Sequence, residues 1–135
     1  MRIPHLLFVC VENSCRSQMA EGFARSVSRG RVSVHSAGSR PSGLLDPRAI
    51  AFMRERGIDL APQLSKGLDN LPPGIRWDVI VTMGCGDACP HLPAATRLDW
   101  DLPDPKPMTD DDFRRVRDRI ETMVGDLVER FCEPR

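Results

Sequence analysis

The 135-residue chain has no net charge, no tyrosine and no long apolar run. Nineteen lysine and arginine residues balance nineteen aspartate and glutamate residues, which argues against nucleic acid or an anionic membrane as the main partner. No apolar run approaches the roughly 18 residues that suggest a membrane-spanning helix. The N-terminal residues lack the apolar region and cleavage site of a signal peptide. We therefore expect a cytoplasmic protein.

The composition of the chain is that of an ordinary globular protein, with 41% hydrophobic and 28% charged residues. Its length predicts one domain, residues 1–135, with a sizeable core. It has five cysteines, and a static disulfide framework is not expected in the cytoplasm. Their grouping indicates redox chemistry or metal binding. The cysteines are Cys10, Cys15, Cys85, Cys89 and Cys132.

One segment combines a nucleophile with an anion site. Cys10 ends an apolar run, five residues separate it from Arg16, and a helical pattern follows. Loop amides and a helix N-terminus can surround a tetrahedral anion, and Arg16 can bind two of its oxygens. The positive field favours the Cys10 thiolate, which is the nucleophilic form. The predicted oxyanion-binding residues are Val11, Glu12, Asn13, Ser14, Cys15, Arg16 and Ser17.

The loop residues have simpler alternatives. Cys10 could be a buried strand cysteine and Arg16 a surface charge, but the strand–loop–helix context disfavours that interpretation. Ser17 can donate a hydrogen bond to the Cys10 thiolate, and Asn13 is expected to shape the loop through its side chain. Cys15 is predicted to be a small packing residue rather than a backup thiol.

Apolar periodicity predicts alternating strands and helices. The strands are His5–Val9, the segment around Val32 and Val34, Trp77–Met83 and Ala95–Leu98. The helices run from Ser17 to about Arg29, from the Asp46 cap to about Arg56, and from Thr109 to Phe131. Met19, Phe23 and Val27 should share one face of the first helix, and residues 36–39 should form a turn. This alternation predicts an α/β fold with a parallel sheet and helices on both faces.

Cys85 and Cys89 follow the third predicted strand, so they should face the same crevice as the Cys10 loop. In a helical turn their sulfurs would come within disulfide range. The alternatives are idle thiols or a zinc site with His91. Zinc usually takes four ligands, so we expect no bound metal.

A general acid could come from the loop at Asp99–Pro107, which follows the fourth predicted strand. Asp99, Asp101 and Asp104 all qualify. The residues alone leave the choice between them open, and a solvated loop aspartate is the simpler alternative.

The run from Phe8 to Gly22, FVCVENSCRSQMAEG, resembles the signature of arsenate reductases built on the low-molecular-weight tyrosine phosphatase fold. The resemblance extends to residues 36–38, 81–83 and 100–105, and covers nearly the whole chain. It implies a single-domain, flavodoxin-like three-layer fold with a four-stranded parallel sheet. It also implies a thioredoxin-coupled monomer without a bound cofactor, for which phosphate and sulfate mimic the substrate arsenate.

The resemblance further implies a mechanism. Cys10 attacks arsenate held by the loop amides and Arg16, and Asp104 protonates the departing oxygen. Cys85 then attacks the Cys10 sulfur and arsenite leaves. Cys89 moves the disulfide to Cys85–Cys89, which thioredoxin reduces.

Two features depart from the thioredoxin-coupled pattern. A glycine precedes Cys85 and the relay cysteines are closely spaced, so glutathione with glutaredoxin, or mycothiol with mycoredoxin, remain alternative electron donors. Some relatives bind potassium through groups that match Asn13, Glu21 and Ser36 here. Where they have a carboxylate this chain has Lys66, and we expect its ammonium to replace the ion and pair with Glu21.

Two other functions compete with arsenate reduction. A low-molecular-weight tyrosine phosphatase would use the same loop and Asp104. It often lines its pocket mouth with aromatic residues, however, whereas this chain has no tyrosine, and Cys85 and Cys89 would have no purpose. Weak phosphatase side activity is compatible with a reductase. The other competitor is an arsenite- or metal-binding sensor, against which the lack of a DNA-binding helix pair or basic face argues.

Overall fold

A computed structural model describes residues 3–84 and 92–131. In these ranges four strands and three α-helices follow one another, with one short 3-10 helix at Leu68–Asn70. The strands are β1 (His5–Cys10), β2 (Ser33–Gly38), β3 (Trp77–Thr82) and β4 (Ala94–Asp99). The helices are α1 (Arg16–Ser28), α2 (Pro47–Arg54) and α3 (Asp110–Phe131).

The four strands form one parallel sheet in the order β2-β1-β3-β4. Leu7 of β1 pairs with His35 on one side and with Ile80 on the other. Residues 6–9 are fully buried, as expected for a central strand covered on both faces. The predicted α/β fold with a four-stranded parallel sheet is confirmed. The next two strands along the chain lie on opposite sides of β1, with β2 on one side and β3 on the other. The carboxyl end of β1 is therefore a topological switch point, where ligands bind in such sheets.

The two faces of the sheet carry separate apolar clusters because side chains alternate along each strand. Leu6 and Phe8 face a large cluster that contains residues of α1, α2 and α3. Leu7 and Val9 face a smaller cluster, against which Leu68 of the 3-10 helix packs. The three described α-helices therefore cover one face. Helices were predicted on both faces, and on the other face the described helical element is the short 3-10 helix with its surroundings.

Helix α2 starts as the sequence predicts. The Asp46 carboxylate accepts a 2.8 Å hydrogen bond from the Arg48 N–H, and Pro47 occupies the first turn. The helix ends at Arg54, earlier than the predicted Arg56. The Gly57 N–H donates to the Arg54 carbonyl, three residues back, so the chain tightens into a turn instead of continuing the helix.

The apolar face of α1 is only partly buried. Met19 and Phe23 are buried, whereas Val27 near the end of α1 is 41% exposed, as are residues 25 and 26 beside it. Periodicity predicts the apolar side of a helix, but not how far along its axis the neighbours extend. Residues 36–38 belong to β2 and not to a turn, since they pair with the last three residues of β1.

Helix α3 is the longest helix of the described residues. Phe113, Val116, Ile120 and Leu127 form an apolar stripe at helical spacing along α3, and all four lie in the core. Most of the remaining surface of the helix is charged. In residues 3–84 and 92–131 no helix is both long enough and apolar enough to span a membrane.

Candidate active site

A cavity of about 160 Å³ opens at the end of β1. This is smaller than the roughly 300–1,000 Å³ of most small-molecule pockets, so it suits a small anion. The cavity brings together Cys10 and Arg16, which the motif predicted, and Asp104, which the family resemblance implied. Its lining residues are Cys10, Val11, Glu12, Ser14, Cys15, Arg16, Asp104 and Lys106.

Backbone N–H groups of a neighbouring segment bind the carbonyl groups of the loop that follows Cys10. Those of residues 10–12 accept hydrogen bonds of 3.2, 2.8 and 3.1 Å from N–H groups within residues 39–42, and that of Ser14 accepts one of 2.9 Å from Asp46. The described peptide bonds are trans, so each following N–H points the opposite way, towards the cavity side. Successive N–H groups that converge in this way form an anion-binding concavity.

Gly38 at the end of β2 allows the loop to approach the sheet. A Cβ atom there would lie 2.5 Å from the Val11 carbonyl oxygen and 2.9 Å from the Asn13 nitrogen. Both are backbone atoms, so neither can move away without deforming the loop. Sequence reasoning placed Gly38 in a turn and missed this role, because a close approach between separate segments leaves no local pattern.

Asn13 is the central residue of the loop and has a left-handed backbone, with φ of 51°. Its side-chain oxygen accepts hydrogen bonds from Gln18 Nε2 at 2.8 Å and from the Lys66 N–H at 2.9 Å. The amide is thereby oriented so that Nδ2 donates to Ser17 Oγ at 2.7 Å and to Ser36 Oγ at 3.0 Å. The predicted shaping of the loop by the Asn13 side chain is present, whereas Gln18 was missed.

The Cys10 sulfur lies 2.9 Å from Ser17 Oγ, which is the contact that the sequence predicted. Ser17 Oγ already accepts a hydrogen bond from Asn13, so its own proton is free to point at sulfur. A hydroxyl donor in this position stabilises negative charge on Cys10.

Arg16 begins α1 and is buried. Its Nη1 donates a 2.9 Å hydrogen bond to the Leu102 carbonyl, which fixes the guanidinium at the cavity. Gly84, with φ of 75°, lies against it, and a Cβ atom there would come within 2.7 Å of Nη1. Gly84 is the last described residue before the segment that contains Cys85 and Cys89, and the predictions for those two residues lie outside the described residues.

The three candidate acids occupy different positions. Asp104 lines the cavity, and its Oδ1 accepts a 3.0 Å hydrogen bond from the Lys106 N–H. Asp99 lies at the end of β4, where its Oδ1 accepts a 2.7 Å hydrogen bond from Thr82 Oγ1, and Asp101 is an exposed loop residue. This geometry favours Asp104 as the acid.

Lys106 also lines the cavity, where its ammonium forms an ion pair with Glu12 of the Cys10 loop. The pair joins the two loops that flank the cavity. Sequence reasoning missed Lys106, although a cation two residues after Asp104 was a usable signal.

Behind the loop, the Glu21 carboxylate is buried and fully engaged. It pairs with Arg25 at 2.6 Å and with the Lys66 ammonium at 3.4 Å, and it accepts a hydrogen bond from Ser36. Lys66 Nζ is also 3.3 Å from Ser36 Oγ. The predicted Lys66–Glu21 pair is therefore present, and the ammonium bridges the groups that would otherwise ligate a monovalent cation. These residues thus do not fit a bound potassium ion.

Cys15 is a buried thiol at the start of α1. Burial raises the pKa of the Cys15 thiol well above its ordinary value, and the negative charges of Asp46, Cys10 and Asp104 raise it further, while Arg16 lowers it. The thiol therefore stays protonated near neutral pH. This favours the predicted packing role over that of a backup nucleophile.

No group of three or more histidine, cysteine, aspartate or glutamate side chains that could hold a metal ion occurs in the part of the chain that the structure describes. The zinc alternative at Cys85, Cys89 and His91 lies outside that part.

This chain is similar to known proteins over nearly all of its length. The chain matches the family model of the low molecular weight phosphotyrosine protein phosphatases over residues 5–134. It is 39% identical over 126 residues to the glutaredoxin arsenate reductase of Synechocystis sp.. The aligned region covers 91% of this chain and 95% of that protein.

Two solved structures resemble it as well. An arsenate reductase in the phosphate binding state has a TM-score of 0.85 and 36% identity, covering 96% of this chain and 99% of that one. The thioredoxin-dependent arsenate reductase of Corynebacterium glutamicum has a TM-score of 0.78 and 30% identity, covering 96% of this chain and 62% of that one.

Proposed function

The chain belongs to the low molecular weight phosphotyrosine protein phosphatase family, and we propose that it is an arsenate reductase. The family resemblance seen in residues 8–22 is confirmed. The observation that carries the proposal is the Cys10–Ser17 contact of 2.9 Å beneath a small anion cavity. Relatives that share most of this chain are arsenate reductases, which supports arsenate as the anion.

The first step is attack on arsenic. Arsenate binds to the loop N–H groups and Arg16, and the Cys10 thiolate attacks the arsenic(V) centre. A sulfur–arsenic bond forms and an arsenic–oxygen bond breaks. Asp104 gives its proton to the departing oxygen, which leaves as water.

The second step reduces arsenic. The Cys85 thiolate attacks the Cys10 sulfur, a disulfide forms, and the sulfur–arsenic electron pair stays on arsenic, which leaves as arsenite. The two sulfurs together lose the two electrons that arsenic gains. The position of Gly84 against Arg16 supports this role, because Cys85 follows it directly in the chain. Phosphorus(V) is not reduced in this way, so a phosphatase would not use Cys85.

The third step restores the nucleophile. Cys89 attacks Cys85, the disulfide moves to Cys85–Cys89, and Cys10 leaves as a thiolate. An external dithiol then reduces the outer pair, and no prosthetic group is needed. We assign thioredoxin as this reductant. Glutaredoxin is the alternative, because one relative is a glutaredoxin arsenate reductase and another is thioredoxin-dependent.

The test is arsenate-dependent NADPH oxidation with thioredoxin and thioredoxin reductase, run beside the glutathione–glutaredoxin and mycothiol–mycoredoxin systems. Turnover with thioredoxin supports the full relay, and turnover only with a low-molecular-weight thiol keeps the reductase but overturns the thioredoxin assignment. No turnover in any system, together with efficient aryl phosphate hydrolysis, overturns the proposal in favour of a phosphatase. Cys10→Ser should abolish turnover. Cys89→Ser should release one arsenite per enzyme and then stop.

A further inference from the structure

We propose that Arg48 is a positioning residue for Asp104, and that the first turn of α2 sets the spacing between the nucleophile loop (residues 11–15) and the acid loop (residues 100–109). This inference rests on the proposed function, in which Asp104 protonates the departing oxygen. Arg48 itself does not line the cavity, so it would act through the loop that carries the acid.

Three carbonyl groups of the acid loop converge on the Arg48 guanidinium. Its Nη1 donates to the Met108 carbonyl at 2.7 Å, and its Nη2 donates to those of Lys106 at 2.5 Å and Pro105 at 3.2 Å. The guanidinium also stacks over Phe113 of α3, 4.6 Å from the ring centroid. The planar fork binds these carbonyls through two separate nitrogens held in a fixed geometry, whereas a lysine would have to gather all three around a single ammonium nitrogen.

The same helical turn holds the nucleophile loop. The Asp46 N–H donates a 2.9 Å hydrogen bond to the Ser14 carbonyl, and the Asp46 carboxylate caps α2 at the Arg48 N–H. Residues 46 and 48 therefore attach one loop each to one rigid turn. The distance between Cys10 and Asp104 depends on this attachment.

Before Asp104 the acid loop is held by the buried Leu102, whose carbonyl accepts a hydrogen bond from Arg16, but after Asp104 the described residues give it few other means of support. Pro103, Pro105 and Pro107 flank Asp104 and Lys106, and proline has no N–H with which to hold the loop to its surroundings. The Lys106–Glu12 ion pair is partly exposed, and such pairs contribute little. The carbonyls bound by Arg48 are thus the main side-chain attachment of the loop after Asp104 among the described residues, and a displacement of about 1 Å at a reacting group can cost roughly a hundredfold in rate.

The experiment measures arsenite release in a single turnover of the full, pre-reduced chain at saturating arsenate. Arg48→Met should lower the rate about 10- to 100-fold and leave the arsenate concentration for half-maximal rate nearly unchanged, since the loop amides and Arg16 remain. Arg48→Lys should lose most of the rate as well. Arg54→Met, at the other end of α2, is the matched control and should keep the wild-type rate. Thermal unfolding of each variant shows that it is folded.

The decisive comparison uses Asp104→Asn. If Arg48 acts through the acid, Arg48→Met should change the rate less than about twofold once Asp104 is replaced, because coupled residues are not additive. An equal loss in both backgrounds, or a wild-type rate in folded Arg48→Met, would overturn the proposal.

If the wild type releases no arsenite, the proposed function fails. The same variants are then compared in phenyl phosphate hydrolysis, whose leaving oxygen also needs a proton, and the same two results would overturn the role of Arg48.

Discussion

The sulfur atom of Cys10 lies 2.9 Å from the hydroxyl oxygen of Ser17, and both side chains are buried. Asn13 donates to the same hydroxyl, so the Ser17 proton is free to point at sulfur. The Asn13 amide is in turn oriented by Gln18 and by the Lys66 N–H. The site is therefore arranged to stabilise charge on sulfur before any substrate binds.

Ser17→Ala should slow both the alkylation of Cys10 by iodoacetamide and the release of arsenite about 10- to 100-fold. A hydrogen bond to a charged group contributes about 1.5–3 kcal/mol, and each 1.36 kcal/mol corresponds to about tenfold in rate. The measurement is the alkylation rate of Cys10 at pH 7. Ser28→Ala is the control, since Ser28 is another buried serine of α1, and its hydroxyl has no hydrogen-bond partner among the described residues. Equal alkylation rates in the two variants would contradict the role of Ser17.

Gly38→Ala should destabilise the protein by about 1–3 kcal/mol, as overpacking does, and should abolish arsenite release. The reason is the approach of a Cβ atom to within 2.5 Å of the Val11 carbonyl. Gly125→Ala is the matched control, because a Cβ atom in that part of α3 meets nothing within 4 Å. Denaturant unfolding measures both variants. A Gly38→Ala variant as stable and active as Gly125→Ala would show that the loop can move away from β2.

Much of the fold follows from local sequence patterns. The apolar run of β1, the Asp46-Pro47 start of α2 and the stripe of α3 each depend on neighbouring residues, which a sequence displays directly. The candidate site was also partly predictable, because Cys10, Arg16 and Ser17 lie within one short segment.

The rest depends on contacts between distant segments. Lys66 reaches Asn13 across 53 positions, and Lys106 reaches Glu12 across 94. In the sequence Arg48 is indistinguishable from any other arginine in a helix. Its hydrogen bonds to the acid loop depend on the fold. No local pattern shows which distant residue each of them contacts. Sequence reasoning therefore missed the partners of Lys106 and Arg48 and found Lys66 only through the family resemblance.

The wild-type protein should show equal activity in potassium and sodium at constant ionic strength, because the Lys66 ammonium already pairs with Glu21 at 3.4 Å. Lys66→Ala removes one of the two cationic partners of the buried Glu21 carboxylate. This variant should therefore lose activity and recover part of it in potassium rather than in sodium. The measurement is the arsenite release rate in each salt. Wild-type activity that rises severalfold with potassium would contradict the substitution of the ion by Lys66.

Cys15 should resist alkylation at pH 7, and its labelling should increase only at alkaline pH. Burial raises the pKa of its thiol, and an acid with a raised pKa keeps its proton, so the reactive thiolate is scarce below that pKa. Mass spectrometry of iodoacetamide-treated peptides measures labelling at each cysteine. Cys15→Ala should retain most of the activity. Labelling of Cys15 as fast as Cys10 at pH 7 would instead indicate a second reactive thiolate.

The most direct test of the central claim mixes pre-reduced wild-type protein with excess arsenate, without any external reductant, and counts arsenite and free thiols. If the chain's own cysteines reduce arsenate, one arsenite should appear per enzyme and two thiols should be lost. No arsenite and no loss of thiols, from protein whose Cys10 still reacts with iodoacetamide, would contradict the account.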